Sequence, residues 1–363
     1  MWRRSSSLIG AALVCGATFL VAANPVAADD DHRGRVSVLL RGLDSPKGLA
    51  LIDRNSLGIG QGAYSPPPGG PVLQYFFRGA HKGTSMPLTD PANVVDIAAT
   101  RDGAGWAIVH DGVNHSSLYR QAPDGTISAV LDITAYQAAD PDPYNNPVED
   151  PAESNPFGLA ALPNGDVLLA DAAGNDVIHV KPDGTAWTVA RWVRELVKTD
   201  KVGDPNLPPK LPAEAVPTSI AIRGGWAYVG QLMGFPGRPG SAHVWRIDPN
   251  AHDALCDVKH RTHDCRVWKS HFTSIMDLAF DPRNGTLYVY EIARRGWLAF
   301  EAGFAPGGTF PKAVLLEVRP GHEPRELAKG KLSQPGGIVV TRRGEIFVTD
   351  GMFTGGRLLR VLR

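Results

Sequence analysis

The sequence has few cysteines, no excess of either charge and no long apolar run beyond its N-terminus. Among 363 residues there are three cysteines, and 37 basic residues balance 37 acidic ones. A neutral chain offers no electrostatic reason to bind nucleic acid or an anionic membrane surface. No segment after the N-terminus reaches the roughly 20 apolar residues that a membrane-spanning helix needs. We therefore expect no nucleic-acid partner, no membrane span and a monomer, with a small molecule or a protein as its partner.

Common catalytic and nucleotide-binding motifs are also missing. The chain has no G-x-S-x-G elbow, no P-loop and no H-E-x-x-H motif. These motifs are typical of α/β-hydrolases, of P-loop nucleotide-binding proteins and of zinc peptidases. Whether the protein is an enzyme therefore stays open on sequence motifs alone.

Residues 1–28 have the pattern of a secretory signal peptide. Arg3 and Arg4 precede an apolar run from Leu8 to Ala23, and a small-residue cleavage sequence ends at Ala28. This run is shorter than the roughly 20 apolar residues of a transmembrane anchor, so the pattern favours cleavage and export. We predict a secreted protein whose mature part, residues 29–363, is one domain.

A two-strand unit recurs six times along the chain. Each second strand ends in a polar residue, and successive closing residues are 50, 60, 60, 60 and 59 positions apart. The closing residues are Gln61, Asp111, Asp171, Gln231, Glu291 and Asp350. A repeat of this length is typical of a propeller or a solenoid.

Most units contain a third and a fourth strand as well. First strands read like NPFGLAAL and QPGGIVV, third strands like DVIHVKP and AHVWRID, and fourth strands like GTISAVL. The 40 glycines and 30 prolines suit many short strands joined by tight turns. Four antiparallel strands in each of six units predict an all-β fold, a six-bladed β-propeller.

The two ends of the repeat region predict how the ring closes. The chain stops directly after a third strand, so the sixth blade lacks its outer strand. The apolar segment VSVLLRGL at 36–43 precedes the first unit and has the form of a fourth strand. We expect this N-terminal strand to complete the last blade, which removes two exposed sheet edges.

Loop lengths predict where ligands bind. The three longest connections are 133–155, 191–215 and 291–312, and in a propeller all three emerge on the same face. We call this the long-loop face and the opposite one the short-turn face. Because function concentrates in elaborated loops on a rigid scaffold, we expect the binding site on the long-loop face.

Several segments resemble one bacterial family. The segments are 155–184, 216–222, 229–236 (VGQLMGFP), 276–293 and 334–350 (QPGGIVVTRRGEIFVTD). In their order and spacing they are similar to the ScyD/ScyE family, secreted bacterial propellers named after scytonemin-biosynthesis clusters. Similarity to NHL-repeat and SMP-30/gluconolactonase propellers is looser. The resemblance implies a propeller fold and secretion but no particular reaction, and a role in secondary metabolism is a hypothesis.

Asp96 and Asp277 occupy the same position of the first strand in blades two and five. Because these blades lie opposite each other and first strands line the channel, the two carboxylates are expected to face each other. With Asn155 at the mouth of its strand, they form a candidate site for a divalent cation such as Ca²⁺, which prefers oxygen ligands. The alternative is that each aspartate caps neighbouring backbone N–H groups.

The closing residues of the second strands form a second candidate site. Four carboxylates on one rim raise one another's pKa values unless a cation intervenes. SMP-30-like lactonases hold a divalent metal at such strand ends, although this chain lacks the strand-one glutamate, since blade one begins Asp44-Ser45-Pro46-Lys47. The predicted ligand-binding residues are Asp111, Asp171, Gln231, Glu291 and Asp350, together with Trp297. The alternative is that each side chain tightens its own loop, as in an Asx-turn.

Cys256 and Cys265 lie in a loop that also contains three histidines. Two cysteines with histidines are compatible with zinc. Because thiols oxidise outside the cell, export favours a disulfide between the two cysteines.

An acidic, proline-rich connection at 140–153 and the aromatic loop around Trp297 suggest a lid. Negative charge combined with aromatic surface suits a cationic or aromatic ligand. Alternatively, these segments are ordinary solvated loops.

These observations lead to one functional hypothesis and two alternatives. The leading hypothesis is a secreted propeller that binds a small molecule or a partner on its long-loop face. One alternative is a metal-dependent lactonase that uses the carboxylates at the channel mouth. The other is a platform for protein–protein contacts.

Overall fold

Short apolar strands pair into six four-stranded antiparallel blades in the computed structural model, which describes residues 35–363, and one blade carries a fifth, parallel strand at its edge. The first strand is β1 (Val36–Leu43), which belongs to the last blade. Blades one and two contain, in chain order, β2 (Leu49–Leu51), β3 (Ser56–Ile59), β4 (Leu73–Phe76), β5 (Ser85–Pro87), β6 (Val94–Ala99), β7 (Gly105–Gly112), β8 (His115–Gln121) and β9 (Ile127–Asp132).

The remaining blades repeat this plan, with a hairpin and one short strand added between their strands. Blade three contains β10 (Pro156–Ala161), β11 (Val167–Asp171), β12 (Asp176–Val180) and β13 (Ala186–Trp192). A separate hairpin follows, made of β14 (Glu195–Lys198) and β15 (Lys210–Ala213). Blade four contains β16 (Pro217–Arg223), β17 (Trp226–Gln231), β18 (Ala242–Ile247) and β20 (Cys265–Phe272), and the short β19 (Ala254–Cys256) between the last two joins the sheet of blade three. Blade five contains β21 (Ile275–Phe280), β22 (Leu287–Glu291), β23 (Val314–Val318) and β24 (Arg325–Leu327). Blade six contains β25 (Pro335–Val340), β26 (Ile346–Asp350), β27 (Gly356–Val361) and β1.

The inner strands of the blades are buried on both faces. Every residue of β11 is buried. Val167 and Leu169 pack in the cluster shared with blade two, whereas Leu168 and Ala170 point the other way into the cluster shared with blade four. Successive strand residues point to opposite sides of a sheet, so a strand between two neighbouring blades is apolar at almost every position. The six-bladed, all-β architecture predicted from the repeat is confirmed.

The ring closes as predicted, through the N-terminal strand. β1 pairs antiparallel with β27 in blade six, and Val36 lies opposite Val361. The first strand of each blade contacts the first strand of the next, and β2 contacts β25. These contacts place the six first strands around a central channel.

Cys256 and Cys265 form a disulfide, as predicted. Cys256 lies in β19, a short strand that pairs parallel with β13 of blade three, whereas Cys265 begins the outer strand of blade four. Both cysteines are fully buried. The bridge therefore anchors a strap from blade four on the edge of blade three, and the thiols that the zinc alternative needs are not free.

The three long connections carry the additional structure on the long-loop face. The first contains helix α1 (Ile133–Ala139), whose N-cap Asp132 accepts a hydrogen bond from the backbone of Ala135. The second contains the β14–β15 hairpin. The third contains helix α2 (Trp297–Glu301) and a 3₁₀ turn (Ala302–Phe304).

Within residues 35–363 there is no helix of the length and apolarity needed to cross a membrane. The signal peptide predicted at 1–28 lies outside the described residues.

Candidate functional site

The centre of the channel contains a buried ion pair. Lys47 is 1% exposed, and its Nζ lies 3.4 Å from Oδ2 of Asp96 on the neighbouring blade. The same ammonium lies 4.4 Å above the ring of Phe157 in blade three. One lysine side chain from blade one therefore contacts two other blades.

The two channel aspartates link neighbouring blades through the backbone. Asp96 accepts the N–H of the following residue at 2.9 Å and the N–H of Leu159, in blade three, at 2.8 Å. Asp277 accepts the N–H of its own following residue at 2.8 Å and the N–H of Ile338, in blade six, at 2.7 Å. The same pair of hydrogen bonds thus recurs on opposite sides of the ring.

The electrostatics of the channel follow from burial. Burial raises the pKa of the Asp277 carboxyl to about 7, although the Lys47 charge lowers it and the Asp96 charge raises it further. Burial also raises the pKa of Asp96, against the opposing effect of the Lys47 charge and of the two backbone N–H donors. Lys47 is the cation that compensates this buried acidic pair.

The predicted Ca²⁺ ligands Asp96 and Asp277 have partners within the protein. All four carboxylate oxygens of Asp96 and Asp277 already accept a backbone N–H, and the ammonium of Lys47 adjoins Asp96. Asn155 is exposed, and its backbone N–H donates to Asp171. These hydrogen bonds match the alternative in which each aspartate caps backbone N–H groups. A calcium ion, which takes six to eight oxygen ligands, stays a prediction at this site.

Most closing residues of the second strands hold the entry to their own blade. In blades one, three, five and six the side chain accepts the N–H of a residue just before the first strand. These hydrogen bonds are Gln61 to Asp44 N–H at 2.8 Å, Asp171 to Asn155 N–H at 2.7 Å, Glu291 to Thr273 N–H at 2.8 Å and Asp350 to Ser333 N–H at 2.7 Å. We call these four contacts the latch hydrogen bonds. They fit the loop-tightening alternative, and ligand binding by these residues stays a prediction.

The other two closing residues differ from this pattern. Gln231 is buried and accepts a hydrogen bond from the Trp245 indole. Asp111 is exposed and accepts from His115 Nδ1 at 2.5 Å and from the Tyr119 hydroxyl at 3.3 Å.

The carboxylates of the ring do not converge. Among residues 35–363, the only group of three or more metal-ligating side chains whose ligand atoms all lie within 4.8 Å is Asp248, His263 and Asp264. Burial is the largest cause that raises the pKa of Asp171 and Asp350, and it raises the pKa of Glu291 to about 8. Burial, and not mutual repulsion around a rim, therefore sets these values.

The acidic and aromatic segments of the long-loop face are attached to the body of the propeller. Trp297 donates its indole N–H to the carbonyl of Met233 at 2.8 Å. Glu214, beside the acidic connection, accepts the backbone N–H of Asn146 at 2.7 Å. Burial raises the pKa of Glu214 to about 7, and the charge of Glu149 raises it further. The aromatic loop also packs on itself, since Phe300 contacts Phe304 and Phe310.

A large cavity lies on the short-turn face, at the mouth of the channel. Its volume is about 700 Å³. Its walls are the turn 51–55 of blade one, residues 99–101 of blade two, the turn 341–345 of blade six, and Arg78. We call it the short-turn cavity. Loop length predicts a binding site on the opposite face, so it does not identify this cavity.

One signal in the sequence points to this cavity. In five of the six blades an arginine ends the first strand or lies in the turn after it: Arg54, Arg101, Arg223, Arg283 and Arg342. In a closed ring these turns surround one mouth of the channel, so the recurrence predicts a concentration of positive charge there.

Comparisons with known proteins show the fold. No protein-family model and no curated protein matches the sequence. A gluconolactonase from Xanthomonas campestris superposes with a TM-score of 0.55 at 14% identity, covering 94% of this chain and 99% of its own. A glucose dehydrogenase superposes with a TM-score of 0.55 at 13% identity, covering 91% and 99%.

A third solved structure is an aldose sugar dehydrogenase from Streptomyces coelicolor in its PQQ-bound form. It superposes with a TM-score of 0.50 at 12% identity, covering 91% of this chain and all of its own. The neighbours are six-bladed propellers, and at these identities the likeness shows the fold alone. Membership of the ScyD/ScyE family stays a prediction.

Proposed function

We propose that this protein binds a small molecule in the short-turn cavity. The observation that carries the proposal is a cavity of about 700 Å³ at the channel mouth, lined by five arginines, four of which have no side-chain partner in residues 35–363. Sites for small ligands are concave and of about 300–1,000 Å³. The sequence-based expectation of a site on the long-loop face stays a separate prediction.

Binding fits the cavity better than catalysis does. Its lining contains no histidine, cysteine, lysine or serine. The hydroxyl of Thr100 donates to the carbonyl of Ala104, and the carboxylate of Glu345 pairs with Arg78 at 2.5 Å and Arg360 at 3.1 Å. General bases and nucleophiles need a free reactive group beside the substrate. The remaining carboxylate, that of Asp53, has no side-chain partner among the described residues and accepts the backbone N–H of Asn55 at 2.6 Å.

The lactonase alternative depends on the long-loop end of the channel. Its best candidate is Glu291, which is buried and accepts one backbone N–H through Oε1. A metal-dependent lactonase needs several such ligands around one ion, and the latch hydrogen bonds occupy the equivalent side chains. The gluconolactonase likeness supports this alternative only at the level of the fold.

Export and a role in secondary metabolism remain parts of the proposal. The buried disulfide supports an exported protein, because such bonds persist in oxidising compartments. A soluble binding protein outside the cell needs no reaction of its own.

A ligand screen with a cavity-filling variant tests the proposal. We would record thermal melts of the protein, of Ala99→Phe in the cavity wall and of Ala129→Phe on the exposed outer strand of blade two. A compound that stabilises the parent and Ala129→Phe, but not Ala99→Phe, is expected. Stabilisation that persists in Ala99→Phe would assign the ligand to another surface.

A further inference from the structure

We infer that the ligand of the short-turn cavity carries two or more anionic groups, such as carboxylates, sulfates or phosphates. This inference rests on the proposed function, since it names the class of ligand that the same cavity takes. The charges around the cavity and a comparison of equivalent turns in other blades support it.

The lining contains more positive than negative charge. Five arginines reach the cavity, against the two carboxylates of Asp53 and Glu345. Glu345 is already held by Arg78 at 2.5 Å and by Arg360, from outside the cavity, at 3.1 Å. What remains is the single carboxylate of Asp53 against four arginines: Arg54, Arg101, Arg342 and Arg343.

These four guanidinium groups have no internal partner. Among residues 35–363, none of them makes a side-chain hydrogen bond, an ion pair or a ring contact. The Asp53 carboxylate accepts the backbone N–H of Asn55 at 2.6 Å instead of pairing with an arginine. Like charges around one concave surface repel one another and concentrate anions there.

The equivalent arginines of blades four and five provide an internal comparison. Arg223 stacks on the ring of Phe280, with its guanidinium carbon 5.3 Å from the ring centroid. Arg283 binds both oxygens of Asp281, at 3.0 and 2.8 Å. A turn arginine with a structural role therefore has a visible partner in this fold. Those of blades six, one and two have none, which points to a partner from outside the chain.

Two glycines show where the equivalent arginines of blades four and five lie. A side chain at Gly285 would collide with the guanidinium of Arg223, and one at Gly344 would collide with that of Arg283. Each of these arginines thus lies against the turn of the next blade. The arginines of blade six instead line the short-turn cavity, together with Asn55 of the blade-one turn.

The shape and lining of the cavity narrow the ligand further. Leu51, Ile52 and Ala99 contribute apolar surface, while the arginines come from three different blades. Guanidinium groups bind carboxylate, sulfate and phosphate oxygens through paired N–H donors. A molecule with an uncharged body and separated anionic groups matches this distribution better than a single small ion does.

Citrate, sulfate, glucose and spermidine are suitable probes, measured by calorimetric titration at low ionic strength. Citrate is expected to bind more tightly than sulfate, while glucose and spermidine are not expected to bind. Raising the salt concentration should weaken citrate binding, because exposed charges are screened. Equal affinities for sulfate and citrate would overturn the requirement for two anionic groups.

Charge-removing variants locate the site. Arg101→Gln and Arg342→Gln should each weaken citrate binding by about tenfold, as expected for a lost hydrogen bond between charged groups. Arg223→Gln is the matched control, since it removes the same charge from the same mouth but from a residue stacked on Phe280. An equal loss of citrate affinity in all three variants would show that citrate responds to the overall positive charge of the channel mouth, which would overturn the assigned site.

The outcomes separate the inference from the proposed function. A neutral ligand that is lost in Ala99→Phe and indifferent to both arginine variants would leave the binding function intact and overturn the anionic class. Failure of every ligand to respond to Ala99→Phe would overturn the proposed function itself. Circular dichroism and melts of each variant show that losses of binding are not losses of folding.

Discussion

Lys47 Nζ lies 3.4 Å from Asp96 Oδ2 at the centre of the propeller, with the lysine side chain 1% and the aspartate side chain 13% exposed. The pair joins blade one to blade two, and Asp96 extends the link to blade three through the N–H of Leu159. A charge pair so far from water is stabilising only while both partners are present. The polar groups of the channel therefore hold neighbouring blades together.

Removing the carboxylate of this pair should destabilise the fold. Asp96→Asn removes the one carboxylate in contact with the buried Lys47 ammonium, so we expect the free energy of unfolding to fall by about 3–5 kcal/mol. Adding Lys47→Met should recover part of this loss, because the ammonium that lost its partner is then absent. Urea denaturation measures both changes, with exposed Asp90→Asn as control. A loss within about 1 kcal/mol for Asp96→Asn would contradict the assigned role.

Stability should decline as the pH rises from about 4 to about 8. Burial raises the pKa of Asp277 to about 7 and of Glu291 to about 8, whereas carboxyls in an unfolded chain titrate near pH 4. The folded protein therefore keeps protons that the unfolded chain has released, and their stabilising effect is lost as the pH passes the folded-state pKa values. Urea denaturation across this range measures the slope.

Glu291→Gln provides the matched test of that slope. Glutamine keeps an acceptor for the Thr273 N–H but does not titrate, so the decline between pH 5 and 8 should become shallower. Exposed Glu323→Gln should leave the slope unchanged. An identical slope in Glu291→Gln and the parent would show that Glu291 does not carry its proton in the folded state.

A chelator should leave the melting temperature unchanged. Lys47 and backbone N–H groups satisfy the channel carboxylates, so no divalent ion is needed to hold them. Elemental analysis together with melts with and without EDTA checks this expectation. Stoichiometric metal, lost together with several degrees of stability, would restore the predicted cation and justify lactone assays.

The disulfide should contribute measurably to stability. Cys256 and Cys265 are nine residues apart, and a loop of this size is expected to contribute about 2–3 kcal/mol. The double variant Cys256→Ala, Cys265→Ala should lose that amount in chemical denaturation. A double variant as stable as the parent would mean that pairing of β19 with β13 holds the strap without the bridge.

Part of the channel was predictable from strand register. Asp96 and Asp277 share one position of the first strand in opposite blades, and both do bind backbone N–H groups of the following blade. The sequence marks Lys47 only as a residue of the segment in which the lactonase glutamate is absent, and it does not predict the ion pair with Asp96. Its long side chain crosses from blade one to blades two and three, and no local pattern encodes that reach.

The closing residues show a similar division. Their regular spacing predicted that they occupy equivalent places, and four of them do form equivalent latch hydrogen bonds. Whether such a side chain faces a ligand or its own loop depends on the path of the chain before the first strand. The segment before each first strand is irregular, and its sequence has no repeating pattern that would predict its path.

The sequence by itself determined the number of blades, their strand order, the closure through β1 and the disulfide. The blades, their strand order and the closure depend on periodic apolar patterns and on the order of strands along the chain, and the disulfide depends on the two cysteines and the export signal, all of which are properties of the sequence. Only the tertiary structure decided which polar groups meet. Arg78 and Glu345 are 267 residues apart and Lys47 and Thr349 are 302 apart, yet each pair is in contact because the ring brings the last blade against the first. The short-turn cavity lies at this junction, so it exists only once the ring has closed.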